Sequence, residues 1–375
     1  MKIIHLSDLH LGKRVHEFSM LDDQRYILKQ ILEHVAEEHP DAVILAGDIY
    51  DKPVPPAEAV QLFDQFLCGL AEQGVEVMII SGNHDSAERI AFGGKLMEHS
   101  GVHVSPVYDG DVKPVELEDA YGIVQFFLLP FIKPIHVRRC YAEEEIESYA
   151  DAMRTAISHM ERNADARQVL VTHQFVTGAE RSDSEEISVG GTDNVDVTVF
   201  DGFDYVALGH IHKPQWVKSG KIRYSGSLMK YSFSESLQNK SVTLLDWKAK
   251  DDLTVTTIPL QPEQDMRVIQ GKLEDLLEHA EPSEDWIRAE LTDRELIPYA
   301  LERLRMFYPN VMELVYLYQE EQIAASNTEV KLVPEQSLVE LLGGFLDSVY
   351  QYQLEEEPEA YQLMEEICKE AEQEK

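Results

Sequence analysis

The sequence predicts an α/β protein: a two-sheet sandwich flanked by helices, followed by a small α+β domain and C-terminal helices. Three observations carry that expectation. Over the first eighty or so residues, short apolar or β-branched runs alternate with amphipathic patterns, the rhythm of a parallel or mixed sheet covered by helices. A length of 375 residues exceeds what one core usually organises and asks for two to three domains. A composition that is 44% hydrophobic, with 20 Gly and 16 Pro, lets most of the chain bury enough apolar surface to offset the entropy of ordering.

In chain order, the runs at 2–7 (KIIHLS), 42–47, 75–81, 122–129, 169–172 and 205–209 read as buried strands. Between the first three, residues 21–39 and 57–74 place apolar side chains at three-and-four spacing and read as helices. Residues 241–247 and 253–260 are strands with no helix between them, which suggests a second, more antiparallel sheet. The prolines of 259–265 (PLQPEQD) mark a linker. Beyond it, 266–318 alternates strand, helix, strand, helix, strand as a compact α+β unit. From 335, Leu338, Leu341, Leu342, Phe345, Leu346 and Val349 form an apolar stripe, and Tyr361, Leu363, Met364, Ile367 and Cys368 a second one after the acidic break EEEPEA. Two short helices with little core of their own invite a partner or dock on their own protein. The expected domains are therefore 1–262, 263–325 and 335–375.

Composition excludes several classes of function. The apolar stretches at 77–80 and 126–129 fall far short of the roughly 18 residues of a membrane span, so no membrane partner is expected. The N-terminus lacks the pattern of a secretory signal. Cys68, Cys140 and Cys368 are too few and too scattered for a disulfide framework or a zinc knuckle, which suits the cytoplasm. A formal charge of −36 argues against non-specific nucleic-acid binding by the whole surface. A local exception is offered by 205–240, where Lys213, Lys218, Lys221, Arg223, Lys230 and Lys240 face the single acid Glu235, and by 132–139 (IKPIHVRR). A solvated face that compensates neighbouring acids is the competing reading.

Five short pieces carry chemistry: Asp8-Leu9-His10, Gly47-Asp48-Ile49-Tyr50-Asp51, Gly82-Asn83-His84-Asp85, Thr172-His173 and Gly209-His210-Ile211-His212. Each sits at the C-terminal end of a predicted strand, the edge where open α/β sheets bind ligands. Carboxylate, imidazole and amide oxygen together suit manganese, iron or zinc, and no thiolate is near. Residues two apart on extended chain share a face, so Asp8 with His10, and His210 with His212, can aim at one place. The set is large enough for two ions, an arrangement that suits phosphoester hydrolysis.

Singly, such pieces are structural in most proteins. In this order they are the signature of the calcineurin-like metallophosphoesterases, which the chain resembles over about 1–260. The opening IIHLSDLHLGK, the segment YSGSLMKYSFSE at 224–235, and the small domain and helical tail after 265 narrow the resemblance to the SbcD family, the nuclease subunits of bacterial SbcC-SbcD exonucleases. That resemblance implies one metal held by Asp8, His10, Asp48 and His212, and another by Asp48, Asn83, His173 and His210, with Asp48 bridging. It implies that His84 acts on the phosphate and leaving oxygen, as proton donor or transition-state stabiliser, with Asp51 holding its ring; the competing reading of Asp51 and Asp85 is a turn or helix-cap residue. It further implies a two-metal, Mn²⁺-dependent exonuclease on duplex ends and endonuclease on single strands and hairpins, with a cap domain that helps hold DNA. The implied partners are DNA, the SMC-like ATPase SbcC bound by the C-terminal helices, and a second copy in a homodimer within a heterotetramer, with 57–74 and 86–99 as candidate interface helices. The implied setting is DNA repair, recombination and replication in the cytoplasm at the nucleoid. A small-molecule phosphatase or cyclic-nucleotide phosphodiesterase would share every metal motif; the region after 265 favours the nuclease. A catalytically silent scaffold would be expected to have lost ligands, and none is missing.

Overall fold

The computed structural model describes residues 1–185, 193–217 and 220–318, together with Tyr361 and Met364. The expected helical segment 335–375 lies outside the described residues apart from those two. Met1–Leu291 and Ile297–Val315 form one compact unit, and Thr292–Leu296 with Tyr316–Lys375 form a second.

Two six-stranded sheets make the larger unit. The first runs Leu253–Pro259, Ser241–Trp247, Lys2–Leu6, Ala42–Ala46, Glu76–Ile80, Val102–Val104. Its last four strands are mutually parallel, and the first two are antiparallel additions, with Lys2 opposite Asp246. The second runs Gln215–Trp216, Ile222–Tyr224, Tyr205–Gly209, Arg167–His173, Gly122–Leu128, Pro114–Asp119, with a parallel centre and antiparallel edges. The expected antiparallel second sheet is therefore corrected. Residues 241–260 complete the first sheet, because the strand at 2–6 has one edge that only a returning strand can fill. The second sheet is built from the later runs and from Pro114–Asp119, whose alternating polarity conceals an edge strand.

Strand alternation sorts the core into layers. Ile3, Ile44, Met78 and Ile80 face inward against Phe126, Val169, Val171, Tyr205 and Ala207 of the other sheet. Ile4, Leu6, Val43 and Leu45 face outward and pack on Ile27, Leu28, Ile31, Leu62, Phe66 and Leu70 of helices Leu21–Glu38 and Ala57–Glu72. On the far side, Phe127, Leu170, Val206 and Leu208 are covered by Ala152, Met153 and Ala156 of helix Tyr149–Ser158, whose start is fixed by a capping box between Ser148 and Asp151. Both faces of both sheets are thus buried, which leaves only their ends to meet solvent and ligands.

The predicted strand and helix order of 266–318 appears as a three-stranded sheet, Met266–Gly271, Trp286–Leu291, Val311–Tyr316, with helices Leu273–Glu278 and Ala300–Arg305. Its Met266 and Trp286 join Val15, Met20, Met229, Tyr231 and Phe233 in one apolar cluster, so this sheet is seated next to the segment that follows the metal-ligand motifs.

Candidate metal centre

All five motif pieces emerge at the same end of the sandwich. The first sheet supplies Asp8, His10, Asp48, Asn83 and His84, and the second supplies His173, His210 and His212. The loops that carry the first set are zipped together by backbone bonds from Asp8 N–H to Gly47, His10 N–H to Asp48 and Leu11 N–H to Ile49, at 3.1, 2.9 and 2.9 Å. Asp8, His10, Asp48 and His210 all adopt positive φ, at 53°, 44°, 49° and 101°. Left-handed backbone at a non-glycine residue costs of order 1–3 kcal/mol each, and such strain persists only where the surroundings enforce it. Here it turns each side chain off its strand and into the gap between the sheets.

Within that gap the polar atoms face one another. His10 Nε2 and His212 Nε2 lie 3.0 Å apart. Asn83 Oδ1 sits 3.0 Å from His173 Nε2 and 2.8 Å from His210 Nδ1. Asp48 Oδ2 is 3.2 Å from His173 Nε2 and 3.6 Å from His10 Nε2. The remaining positions of these groups are anchored: His173 Nδ1–H donates to the Ala46 carbonyl at 2.8 Å, which leaves Nε2 as the ligand atom, and the His210 N–H donates to Asp8 at 3.0 Å. Ligand atoms of Asp8, His10 and His212, of His10, Asp48 and His84, and of Asp8, Asp48 and His173 each cluster within 4.8 Å. Two carboxylates, an amide oxygen and imidazoles whose ligand atoms converge, His10 among them through Nε2, fit divalent cations.

Electrostatics keep His10 and His210 neutral and set His173 apart. Burial holds His10 well below its ordinary pKa, and burial followed by the charge of His173 lowers His210 to about 3. Burial alone would also lower His173, yet Asp48 lifts it to about 9. Burial pushes the Asp48 carboxyl up, but His173 overrides it and the net direction is well below the usual range. Asp8, by contrast, is raised by burial. One ion pair across the sheets therefore carries the charge in the absence of cations.

His84 stands at the rim. Its N–H donates to Asp48 Oδ1 at 2.9 Å and its Nδ1–H to the Asp51 backbone carbonyl at 3.0 Å, so the ring is held by the Asp51 main chain. The Asp51 carboxylate instead accepts from Lys13 Nζ at 2.8 Å and lies 3.8 Å from His10 Nδ1. Asp85 accepts three backbone N–H bonds, from Ile49, Tyr50 and Gly82 at 2.9–3.0 Å, and so locks the Asp48 loop to the Asn83 loop. Burial and then Asp48 raise it to about 6. Two glycines permit the close approach: a Cβ at Gly82 would lie 2.1 Å from Asp48 Oδ1, and one at Gly209 2.0 Å from the Ala46 carbonyl.

Sequence reasoning missed the supports of the site. Gln24 Nε2 donates to the His10 carbonyl at 2.7 Å and Tyr231 Oη to that of Leu9 at 2.5 Å. Neither stands in a motif, and only Tyr231, within YSGSLMKYSFSE, carried any signal. The basic stretch 213–240 is corrected as a DNA-facing patch. Lys240 and Arg223 are buried, Lys240 against Glu235 and Arg223 over the Trp216 ring; Lys230 pairs with Asp265 and Lys213 with Glu180. Lys221 remains exposed but sits at the start of its strand, away from the ligands, and Lys218 lies outside the described residues. In the strip 132–139, Lys133, Arg138 and Arg139 are exposed, and this strip follows Phe131, whose ring lies 6.3 Å from that of His173.

Residues 1–214 match the family profile described as calcineurin-like phosphoesterase, and residues 262–350 match one described as a type 5 capsule protein repressor C-terminal domain. The chain is similar to a protein of Staphylococcus epidermidis named as the SbcD component of the nuclease SbcCD, with 34% identity over 347 residues, 91% of this chain and 92% of that one. A protein of the same name from Staphylococcus saprophyticus is 34% identical over 321 residues, 84% of each chain. Among solved structures, a dimetal phosphatase from Danio rerio aligns with 70% of this chain and 99% of its own, at 10% identity and a TM-score of 0.43. Among the described residues no helix is long and apolar enough to cross a membrane.

Proposed function

The chain belongs to the calcineurin-like phosphoesterase family and, over 91% of its length, to the SbcD nuclease subunits within it, and from that membership we propose that it is a two-metal DNA nuclease. The observation that carries the reading is the convergence of seven ligand-type side chains from two sheets, with lone pairs aimed at shared points. In this reading Asp8, His10, Asp48 and His212 hold one divalent ion, and Asp48, Asn83, His173 and His210 the other, with Mn²⁺ the ion used. When bound, such ions supply the Lewis acidity that activates water and stabilises a phosphoryl transition state.

The chain's own residues do the rest. Asp48 would serve both ions: its Oδ2 lies near His10 on one side and His173 on the other, its Oδ1 is fixed by the His84 main-chain N–H, and its charge would offset the repulsion between cations. Asn83 adds an oxygen without adding charge, so an anionic diester meets only two carboxylates. His84, anchored through Nδ1–H and its main-chain N–H, presents Nε2 towards the scissile phosphate and serves the leaving oxygen as proton donor. Lys133 and Arg139, exposed in the strip that follows Phe131, replace the 213–240 stretch as the cations that meet the backbone of DNA.

The proposed substrates are duplex ends, cut exonucleolytically, and single strands and hairpins, cut endonucleolytically, in repair, recombination and replication. Residues 1–262 form the nuclease, 263–325 the DNA-holding cap and 335–375 the segment that binds the ATPase SbcC in the cytoplasm. Two copies pair through 57–74 and 86–99. There Leu62, Phe66 and Leu70 are spent on the core, while Val60, Phe92 and Leu96 are exposed and available.

End-labelled duplex, incubated with the purified full chain and Mn²⁺, with and without SbcC, tests the reading. Metal-dependent shortening is expected, altered by SbcC; hydrolysis of small phosphoesters with DNA left intact would favour the phosphatase alternative. Deleting 335–375 should remove the effect of SbcC and leave intrinsic cleavage. Light scattering on the same preparations should return a dimer, and a monomer across micromolar concentrations would end that claim.

A further inference from the structure

Behind His212, on the side away from the other ligands, lies a closed circuit of hydrogen bonds. His212 Nε2 faces His10, so its other nitrogen, Nδ1, points outward and lies 2.6 Å from Ser184 Oγ. Ser184 in turn donates to Glu235 Oε1 at 2.5 Å, and because a carboxylate only accepts, the serine oxygen is the acceptor for His212 Nδ1–H. The second oxygen of Glu235 takes Lys240 Nζ at 2.5 Å. Lys240 then returns to its starting point by donating to the His212 carbonyl at 2.9 Å, with a further bond to Ser227 Oγ at 2.9 Å. Glu235 is fully buried and Lys240 is 5% exposed. The His212 main-chain N–H is held as well, by Glu185 Oε1 at 2.7 Å.

A buried ion pair is weak evidence for stability, since desolvation offsets most of the attraction and an apolar pair of similar volume often serves as well. What distinguishes this pair is that both of its ends act on one residue: the carboxylate reaches the His212 ring through Ser184, and the ammonium grips its carbonyl. Ligating histidines are commonly fixed in tautomer and ring orientation by such an outer carboxylate, directly or through one polar group. Glu235 and Lys240 are buried and the Ser184 hydroxyl is engaged by His212 and Glu235, so their effect passes through His212.

We propose that Ser184, Glu235 and Lys240 are positioning residues for His212, holding its Nδ1–H tautomer so that Nε2 is presented as a lone pair to a divalent cation. The inference deepens the two-metal reading and rests on it. The circuit touches only the ligand set of Asp8, His10, Asp48 and His212, so it tunes one of the two ions and leaves the one shared by Asn83, His173 and His210 alone. It also gives a place to the one acid in an otherwise basic segment, since Glu235 acts on His212 through Ser184.

Calorimetric titration of Mn²⁺ into the metal-free full-length chain provides the test, alongside thermal unfolding of the same metal-free samples. The unaltered protein should show two binding events. Ser184→Ala should weaken one of them by about 10- to 100-fold and leave the other unchanged, with a cooperative metal-free transition preserved. Ser184→Thr, which keeps the hydroxyl, should restore the affinity, and Glu235→Gln should lower it as Ser184→Ala does. Unchanged affinity in Ser184→Ala, or equal weakening of both events, would overturn the positioning role. Failure of the unaltered chain to bind two ions would overturn the two-metal reading itself, a result separable from the first because it appears before any substitution.

Discussion

The two sheets are joined by polar groups at both ends of the sandwich, and the two junctions are built on opposite principles. At the ligand end, backbone strain turns side chains inward and polar atoms face one another with their lone pairs converging. At the far end, Arg167 pairs with Asp119 at 2.5 Å, donates to the carbonyls of Gly122, Trp247 and Lys248, and shares Asp119 with the N-terminal ammonium of Met1 at 2.6 Å. There donor meets acceptor, and Asp119 is held down to about 2; burial opposes the shift, and the bonds from Arg167 and Met1 override it. One junction is built of paired charges, with only Arg167 Nε left without a partner, and the other of converging ligand atoms on strained backbone. Donors matched to acceptors mark a fastening; converging lone pairs mark a place where something else is bound.

Four substitutions probe that contrast, in descending order of effect. Asp48→Asn should abolish the ligand end's chemistry, lowering Mn²⁺-dependent cleavage on the order of 10⁴-fold with occupancy of both ions reduced, as metal analysis after gel filtration would show. Two tightly held ions in that variant would contradict the bridging role. His84→Gln should leave both ions bound and still cost about 10³-fold in turnover, because the ring acts on substrate rather than on the ligands. Gly209→Ala forces a methyl against the Ala46 carbonyl at the seam of the ligand end; it should destabilise by about 3 kcal/mol in urea unfolding and weaken metal binding with it. Asp119→Asn should cost roughly 2–3 kcal/mol by leaving Arg167 short of its partner, with metal affinity and turnover untouched.

The last variant also has a pH signature. Asp119 is depressed to about 2 from an ordinary 3.8, so its stabilisation is fully present above the unfolded value and is lost as pH falls from about 4 towards 2. The stability curves of the parent and Asp119→Asn should converge across that acidic window. Parallel curves there would show that the far junction holds by shape rather than charge.

The candidate ligands were legible because each stands at a strand end, in the order of the phosphoesterase signature, and the alternation of 266–318 reads directly as its three strands and two helices. The partition of strands between sheets was not legible. Apolar periodicity says that 122–129 and 241–247 are strands but is silent on which neighbour each pairs with, since pairing across two hundred residues leaves no local mark. The basic stretch misled for a related reason: a charge count along the chain does not record that Arg223 and Lys240 point inward. Glu235, alone among six cations, was the signal that some of them were already paired. For Asp51, sequence could place the residue beside His84 but could not tell its carbonyl from its carboxylate.

Of the first sheet's strands, Lys2–Leu6 comes earliest in the chain, yet one of its two neighbours is Ser241–Trp247, with Ile4 opposite Leu244. On the ribosome this strand must wait for roughly 240 residues of further synthesis, about 10–50 s at ordinary elongation rates, before that edge is covered. Until then the nascent chain exposes an unpaired hydrophobic edge, a template for mispairing with other chains. His210 and His212 emerge only shortly before the strand that relieves it. A chain that ended before Ser241 would therefore carry every candidate ligand and still leave that edge uncovered and prone to mispairing.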